Sequence, residues 1–227
     1  METDQNQRTK LLLSKEKFDI LQNSSICIVG VGGVGGFSAE MLTRAGVGSL
    51  TIVDFDIIST TNINRQIIAL NSNVGYFKVD EFRKRLLDIN PNLQLNTICE
   101  KLTEENIEQI ISKDFDFVVD AIDDVKNKVK LIKFCQDKSI RIVSALGAGN
   151  KLGIPEFKVT DIFKTENDGL AKKMRKELRD VCIEHLDVVY SNLKSEKVAG
   201  CDIGSISFYP AMCGCVISAH VVCKLLE

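Results

Sequence analysis

Ile26-Cys-Ile-Val-Gly-Val-Gly-Gly-Val-Gly-Gly36 decides the fold. Four apolar residues, Ile26 to Val29, run into a glycine cluster, and the cluster runs into an amphipathic segment from Phe37 to Ala45. That order is a strand, a tight turn and a helix. Gly30, Gly32 and Gly35 satisfy G-x-G-x-x-G: a turn at positive φ, a backbone bare enough for a phosphate to approach, and a close helix–strand contact. A helix opening at Val34 points its free N–H groups and its dipole at an anion. Asp54 ends a second apolar run, Leu50 to Val53, near the spacing of roughly 20 residues at which an acid meets a ribose hydroxyl. The stretch reads as a nucleotide site, with neither the nucleotide nor the reaction specified.

Outward from this turn the chain keeps a regular grammar. Leu11 to Leu21 has helical spacing and precedes the first strand. After Leu50–Val53 and an asparagine-rich connection, a helix is predicted from Lys78 to Ile89, ended by Asn90-Pro91. Leu93–Ile98 alternates as a strand, and Thr103 serves as N-cap for a helix to Ile111, with Glu104 and Glu105 in its first turn. Phe117–Asp120 is a short buried strand, Val125–Cys135 a helix and Ile140–Ala145 another strand. Alternating units of this length predict an α/β fold with a doubly wound, mostly parallel Rossmann-like sheet. Ligands in such sheets lie beyond the carboxyl ends of the strands, which gathers Gly30–Gly35, Asp54, Asp120–Asp124 and Ser144–Gly149 at one crevice.

From Gly147 the pattern changes. Ile154–Thr160 and Val188–Tyr190 read as additional C-terminal strands outside the βαβ rhythm, and Leu170–Arg179 as a highly basic helix. Ser205–Tyr209 is extended up to Pro210, and Ala211–Leu226 is a terminal apolar helix. The expected organisation is a single domain over 1–227, with a nucleotide-binding core (1–150) and a substrate-facing, dimerisation part (151–227). The last helix, with about 16 residues and His220 and Lys224 within it, is too short and polar for a membrane span. A buried helix or a subunit interface suits it better.

Composition narrows the classes. A chain of 227 residues that is 44% hydrophobic is long enough to close a sizeable core. Met1 to Lys10 is polar and lacks a signal core, so a cytoplasmic location is expected. The eight cysteines, Cys27, Cys99, Cys135, Cys182, Cys201, Cys213, Cys215 and Cys223, then read as thiols, mostly in apolar runs where they act as small buried hydrophobes. No pair has C-x-x-C spacing, which argues against a structural zinc. A net charge of −2 gives no global pull toward nucleic acid; no DNA partner is expected, and any RNA contact must be local.

The glycine turn with a distal acid would suit a nicotinamide dehydrogenase. The next segment, Asp54-Phe-Asp-Ile-Ile-Ser-Thr-Thr-Asn-Ile-Asn-Arg-Gln66, argues against hydride transfer. It crowds Asn62, Asn64, Arg65 and Gln66 at the crevice, and Lys78 follows. Two cations converging on one phosphate run fit a triphosphate undergoing chemistry; the plainer alternative is that Arg65 and Lys78 are solvated surface charges.

The combination of Gly30–Gly35, Asp54-Phe-Asp56, Thr61-Asn-Ile-Asn-Arg-Gln66, Lys78, Asn90-Pro91 and Asp120-Ala-Ile-Asp-Asp124 resembles the superfamily of ubiquitin-activating-enzyme-like adenylating proteins. The resemblance spans roughly Arg8 to Gly149. Within that superfamily the chain looks most like the tRNA threonylcarbamoyladenosine dehydratase branch. Arg8-Thr-Lys-Leu-Leu-Leu13, Val159-Thr-Asp-Ile-Phe-Lys-Thr165, Gly169-Leu-Ala-Lys172 and Gly204-Ser-Ile-Ser-Phe208 carry that likeness.

The resemblance implies ATP over the glycine turn, with Gly33 against the nucleotide and Asp54 on the ribose. Asn62, Arg65 and Lys78 match the triphosphate contacts, and Asp123, with Asp124 beside it, matches the acid that helps hold Mg²⁺ on the phosphates. Attack of a carboxylate on an α-phosphate brings negative charge to a negative centre, which requires fixed cations and a metal. Arg8 is the candidate for an arginine delivered by a partner subunit, making the active unit a homodimer. The implied reaction is adenylation of the threonyl carboxylate in tRNA, then attack by the neighbouring ureido group with loss of AMP. No enzyme nucleophile is needed, so Cys182, near where related activators carry a thioester cysteine, reads as either a nucleophile or a structural thiol.

The basic helix has Lys172, Lys173, Arg175, Lys176 and Arg179, with Lys172, Arg175, Lys176 and Arg179 near one face. Such a run is either a solvated face or, beside an ATP crevice, an RNA phosphate contact. His185 and His220 have no partner at metal or triad spacing and read as structural. The rival function is an activator of a ubiquitin-like sulfur-carrier protein, adenylating a Gly-Gly C-terminus in the same crevice. The missing C-x-x-C pairs and the basic helix favour the tRNA reading; the short connection between Tyr190 and Gly200 bears on substrate contacts. A sulfur-relay protein is a further possible partner.

Overall fold

The glycine turn leaves from the middle of a sheet, because the strand before it is paired on both sides. The computed structural model of the chain describes residues 4–196 and 203–227; Cys201 and the end of the connection from Tyr190 to Gly200 lie outside them. Seven strands form one sheet: β1 (Ser25–Val29), β2 (Ser49–Val53), β3 (Gln94–Ile98), β4 (Phe117–Asp120), β5 (Ile142–Ala145), β6 (Lys158–Asp161) and β7 (Asp187–Tyr190). The helices are α1 (Gln7–Leu12), α2 (Lys15–Asn23), α3 (Gly35–Ala45), α4 (Lys78–Ile89), α5 (Ile107–Ile110), α6 (Val125–Asp137), α7 (Gly169–Asp180) and α8 (Phe208–Leu226).

The strand order is β3-β2-β1-β4-β5-β7-β6. β1 pairs in parallel with both β2 and β4, so the direction of winding reverses between β1 and β4. That reversal opens the crevice. Side chains alternate across the sheet. Ile26 and Ile28 join the layer containing α3, α4 and α8, while Cys27 and Val29 join the layer containing α5, α6 and α7. Both faces are therefore covered, as the unbroken apolar strands require.

Four expectations need correction. β7 is not outside the βαβ rhythm: it pairs in parallel with β5, and only the edge strand β6 is antiparallel. The N-terminal helix is two helices, because Leu13 is extended and Ser14 caps α2 by accepting from the Lys17 N–H. The predicted helix from Thr103 shrinks to α5, because the Asn106 side chain accepts from the Thr103 N–H at 2.7 Å and holds Thr103–Asn106 in a turn. Helix α8 starts at Phe208 and takes Pro210 into its first turn, where a missing N–H leaves no helix bond unmade.

At 19 residues α8 is long and apolar enough by length and composition to cross a bilayer, contrary to the sequence expectation. Here it lies on α3: a Cβ at Gly214 would stand 2.4 Å from the Val34 carbonyl oxygen. Ser218 Oγ donates to the Ser38 carbonyl at 3.2 Å along the same contact.

The cysteines are less buried than expected. Cys27, Cys135 and Cys213 are buried, and burial pushes the Cys135 and Cys213 thiols up to about 12. Cys99, Cys182 and Cys223 are exposed and Cys215 is intermediate. Cys99 follows β3, the strand at the other edge of the sheet, and Cys182 turns the chain after α7 at φ +59°.

The two histidines meet at the end of the sheet away from the crevice. His185 Nδ1 lies 2.7 Å from Asp161 Oδ2 and its Nε2 lies 3.2 Å from Asp187 Oδ1. His220 Nε2 lies 3.3 Å from Asp187 Oδ2, off the line of a hydrogen bond, and its ring packs edge-on to Phe117. Burial holds His220 below its ordinary 6.5, against the opposing pull of Asp187. The unfolded chain then binds the proton first on acidification, so His220 destabilises the fold as pH drops below about 6.5. His220→Gln is expected to flatten the fall in melting temperature between about pH 7 and 5; an unchanged slope in thermal scans rejects this assignment.

Candidate active site

The carboxyl ends of β1, β2, β4 and β5 open into a crevice of about 1110 Å³. Gly30 must be glycine twice over: its φ is +88°, and a Cβ would stand 2.7 Å from the Ala121 carbonyl oxygen. Gly35 lies beneath the crevice, where a Cβ would stand 1.8 Å from the Gly30 carbonyl oxygen. Gly32 and Gly33 line the opening itself, and Pro210 of α8 closes in behind Gly33.

Asp54 directly follows β2 at the crevice and is buried. Its Oδ2 accepts from the Val31 N–H at 2.8 Å and its Oδ1 from the Asp56 N–H at 2.9 Å. The acid thus holds the glycine turn, a task the sequence did not reveal. Burial pushes its carboxyl above the usual carboxylate range, opposed by the Lys78 ammonium and these two N–H groups.

Lys78 is no solvated surface charge. Its side chain is 5% exposed, with Nζ 2.7 Å from Asp56 Oδ2 and 3.9 Å from Asp54 Oδ1. Asp56 is a site residue that sequence reasoning missed. The signal was the Asp54-Phe-Asp56 alternation, which puts both acids on one side of an extended segment.

Arg65 and Asn62 also line the crevice. Arg65 Nη1 donates to the Thr61 carbonyl at 2.8 Å and to Asn64 Oδ1 at 2.9 Å. Asn62 Oδ1 accepts from the Ser59 N–H at 3.0 Å, closing the 3-10 turn Thr60–Asn62. Both residues keep N–H groups without a hydrogen-bond partner among the described residues.

The acids after β4 divide their roles. Asp123 is exposed on the crevice wall with no hydrogen-bond or ion-pair partner among the described residues. Asp124 caps α6, accepting from the Lys126 N–H at 2.9 Å and Asn127 Nδ2 at 3.0 Å. Asp120 is fully buried with Lys128, 2.9 Å away. The sequence pattern offered no cue to that pair beyond a lysine on the inner face of α6.

The remaining expected residues lie apart. Arg8 is exposed on α1 and does not line this chain's own crevice. On α7, Lys172, Lys173 and Lys176 are exposed, and Lys173 lines the crevice. Arg175 is tied to Thr165, donating to its carbonyl at 3.1 Å and to its hydroxyl. Arg179 sits 5.3 Å over the Phe163 ring. Cys182 does not line the crevice.

A doubly wound sheet with a glycine turn at its winding reversal, and with basic groups and an exposed acid around it, defines a nucleotide-binding protein equipped for phosphate chemistry. The ThiF family matches residues 5–227, and the chain belongs to that family. It is 37% identical over 97% of its length to the tRNA threonylcarbamoyladenosine dehydratase of Bacillus subtilis, covering 94% of that protein. It superposes on the tRNA N6-threonylcarbamoyladenosine dehydratase of Escherichia coli in complex with AMP at a TM-score of 0.91 and 32% identity, covering 96% of this chain and 92% of that one. The same E. coli enzyme in complex with ATP gives 0.90. The molybdopterin-synthase adenylyltransferase of Haemophilus influenzae is 35% identical over 60% of this chain and 56% of its own length.

Proposed function

We propose that the chain is an ATP-dependent tRNA threonylcarbamoyladenosine dehydratase, which adenylates the threonyl carboxylate of the modified nucleoside and lets the ureido group close the ring. The observation that carries this reading is full-length likeness to dehydratases of that name, together with a crevice that keeps Arg65, Lys78 and Asp123. Likeness to the carrier-protein activator stops at 60% of the chain.

ATP lies over Gly32 and Gly33, with the N-terminus of α3 facing its phosphates. Asp54 takes the ribose while holding the turn. Asn62, Arg65 and Lys78 neutralise charge as the carboxylate attacks the α-phosphate and pyrophosphate leaves. Asp123 suits Mg²⁺, since an exposed carboxylate with no partner among the described residues has both oxygens to offer a hard cation. The metal would supply further positive charge on the phosphates. Lys172, Lys173 and Lys176 remain for tRNA phosphates.

Arg8 reaches a crevice only if it enters that of a second copy. The apolar side chains Leu11 and Leu12 beside it, and Leu70, Tyr76 and Phe77 after β2, are exposed in one copy; burying such side chains favours a homodimer.

The test is incubation of the purified chain with ATP, Mg²⁺ and tRNA carrying threonylcarbamoyladenosine, followed by mass analysis of the nucleosides. Loss of one water is expected, and Arg65→Ala and Asp123→Ala should each slow it by about 10²-fold or more. Mixing Arg8→Ala with Lys78→Ala chains should restore part of the activity if the site is shared. Pyrophosphate exchange that needs a carrier protein, with no change in the tRNA, overturns the reading.

A further inference from the structure

Besides Lys78 and its two acids, two further lysine–aspartate pairs are buried near the crevice, and they differ in how closely they pair. Lys128 and Asp120 are each 0% exposed. Lys128 Nζ lies 2.9 Å from Asp120 Oδ2 and donates to the Ile122 carbonyl at 3.0 Å, and Asp120 accepts from Ser144 Oγ at 2.7 Å and the Ile122 N–H at 3.2 Å. That pair closes on itself and holds β4, β5 and α6 together.

The second pair, Lys151 and Asp168, lines the crevice with side chains 1% and 2% exposed. Lys151 Nζ donates to the Ser191 carbonyl at 2.6 Å, but its distance to Asp168 Oδ2 is 3.5 Å. Asp168 Oδ1 caps α7 by accepting from the Ala171 N–H at 2.8 Å. Asp168 Oδ2 faces the bare Cα of Gly147, where a Cβ would stand 3.3 Å away. Among the described residues the Lys151 ammonium, with three N–H donors, thus has one short bond, and Asp168 Oδ2 beside it has none. Desolvating two charges is repaid only when their remaining groups are satisfied, and among the described residues Lys151 and Asp168 keep room for a further partner on the crevice side.

We propose that Lys151 and Asp168 form the subsite for the ureido group of the substrate, and that Asp168 receives the proton released at ring closure. This rests on the dehydratase reading above. A urea presents a carbonyl acceptor next to N–H donors, and the pair presents the complement, an N–H donor next to a carboxylate acceptor. The Lys151 ammonium donates to the ureido carbonyl and Asp168 Oδ2 accepts from the ureido N–H. When the nitrogen attacks the acyl adenylate, the new C–N bond forms and the C–O bond to AMP breaks. The electron pair leaves on the phosphate oxygen of AMP, and the N–H proton passes to Asp168. Gly147 keeps the approach free of a side chain.

Asp168→Asn tests this, because asparagine caps a helix as well as aspartate does but cannot take the proton. Pyrophosphate released and cyclic nucleoside formed are measured together in single reactions. The expected result is adenylation within a few-fold of the parent and cyclisation lower by about 10²-fold or more, so several ATP are consumed per ring closed as water intercepts the adenylate. Lys151→Met should raise the same ratio. A parallel fall of both products with the ratio unchanged overturns the proposal and makes the pair structural. A parent protein that forms no cyclic nucleoside at all defeats the dehydratase reading itself, which separates the two failures. Should Asp168→Asn not fold, Lys151→Met read by the same ratio decides alone.

Discussion

Lys78→Met is expected to slow dehydration by about 10²- to 10³-fold, the loss seen when one fixed electrostatic partner of a developing charge is removed. The same change should weaken the fold. With its ammonium gone, Asp54 stays buried with two backbone N–H groups and no cation in its own structure, while Asp56, half-exposed, can turn to water. Breaking a buried pair from one side costs about 3–5 kcal/mol; the exposure of Asp56 and protonation of Asp54 bring the expected loss to the lower end. Urea denaturation and the nucleoside assay read the two effects separately. Full activity would exclude Lys78 from the chemistry, and unchanged stability would mean that the acids are solvated in a way the crevice geometry does not allow.

Gly35→Ala is expected to prevent folding. Its methyl would stand 1.8 Å from the Gly30 carbonyl oxygen and 3.1 Å from the Ala121 Cβ. Neither can swing aside as a flexible side chain could, so α3 would have to lift off β1. Losses above about 4 kcal/mol come from such contacts, a large share of the roughly 5–15 kcal/mol that holds a domain together. Circular dichroism of the variant should show no cooperative melt. Gly32→Ala is the control: the nearest atom to its methyl is Gln66 Nε2 at 3.7 Å, an ordinary contact. That variant should melt close to the parent and lose ATP affinity by calorimetry, because the added methyl occupies the face that a phosphate approaches. If both variants fold alike, the two glycines do not have the separate roles assigned to them.

Much of the fold was legible in local pattern. Helix α4 begins and ends where Lys78 and Asn90-Pro91 said it would, and β1, the glycine turn and α3 follow each other as the spacing of Gly30, Gly32 and Gly35 required. Errors fell where a side chain competed with the periodic pattern. Ser14 cut one helix into two, and Asn106 stopped another from starting. Pro210 looked like a boundary because proline breaks helix interiors, yet in a first turn it breaks nothing.

The amino-acid sequence by itself determined where the chain turns and which faces it buries, because backbone sterics at glycine and proline and the 2.0 and 3.6 residue periods act within a few residues. It gathered Gly30, Asp54 and Asp123 at one crevice through the rule for carboxyl ends of parallel strands, and it pointed to Arg65 and Lys78 through the segment that follows Asp54. Only the tertiary structure decided what each charge meets. Asp56 takes Lys78 across 22 residues, Lys151 reaches Ser191 across 40, Arg175 is held by Thr165, and both histidines share Asp187. Such pairings depend on strand register and on how loops are held against one another, and no local period encodes them.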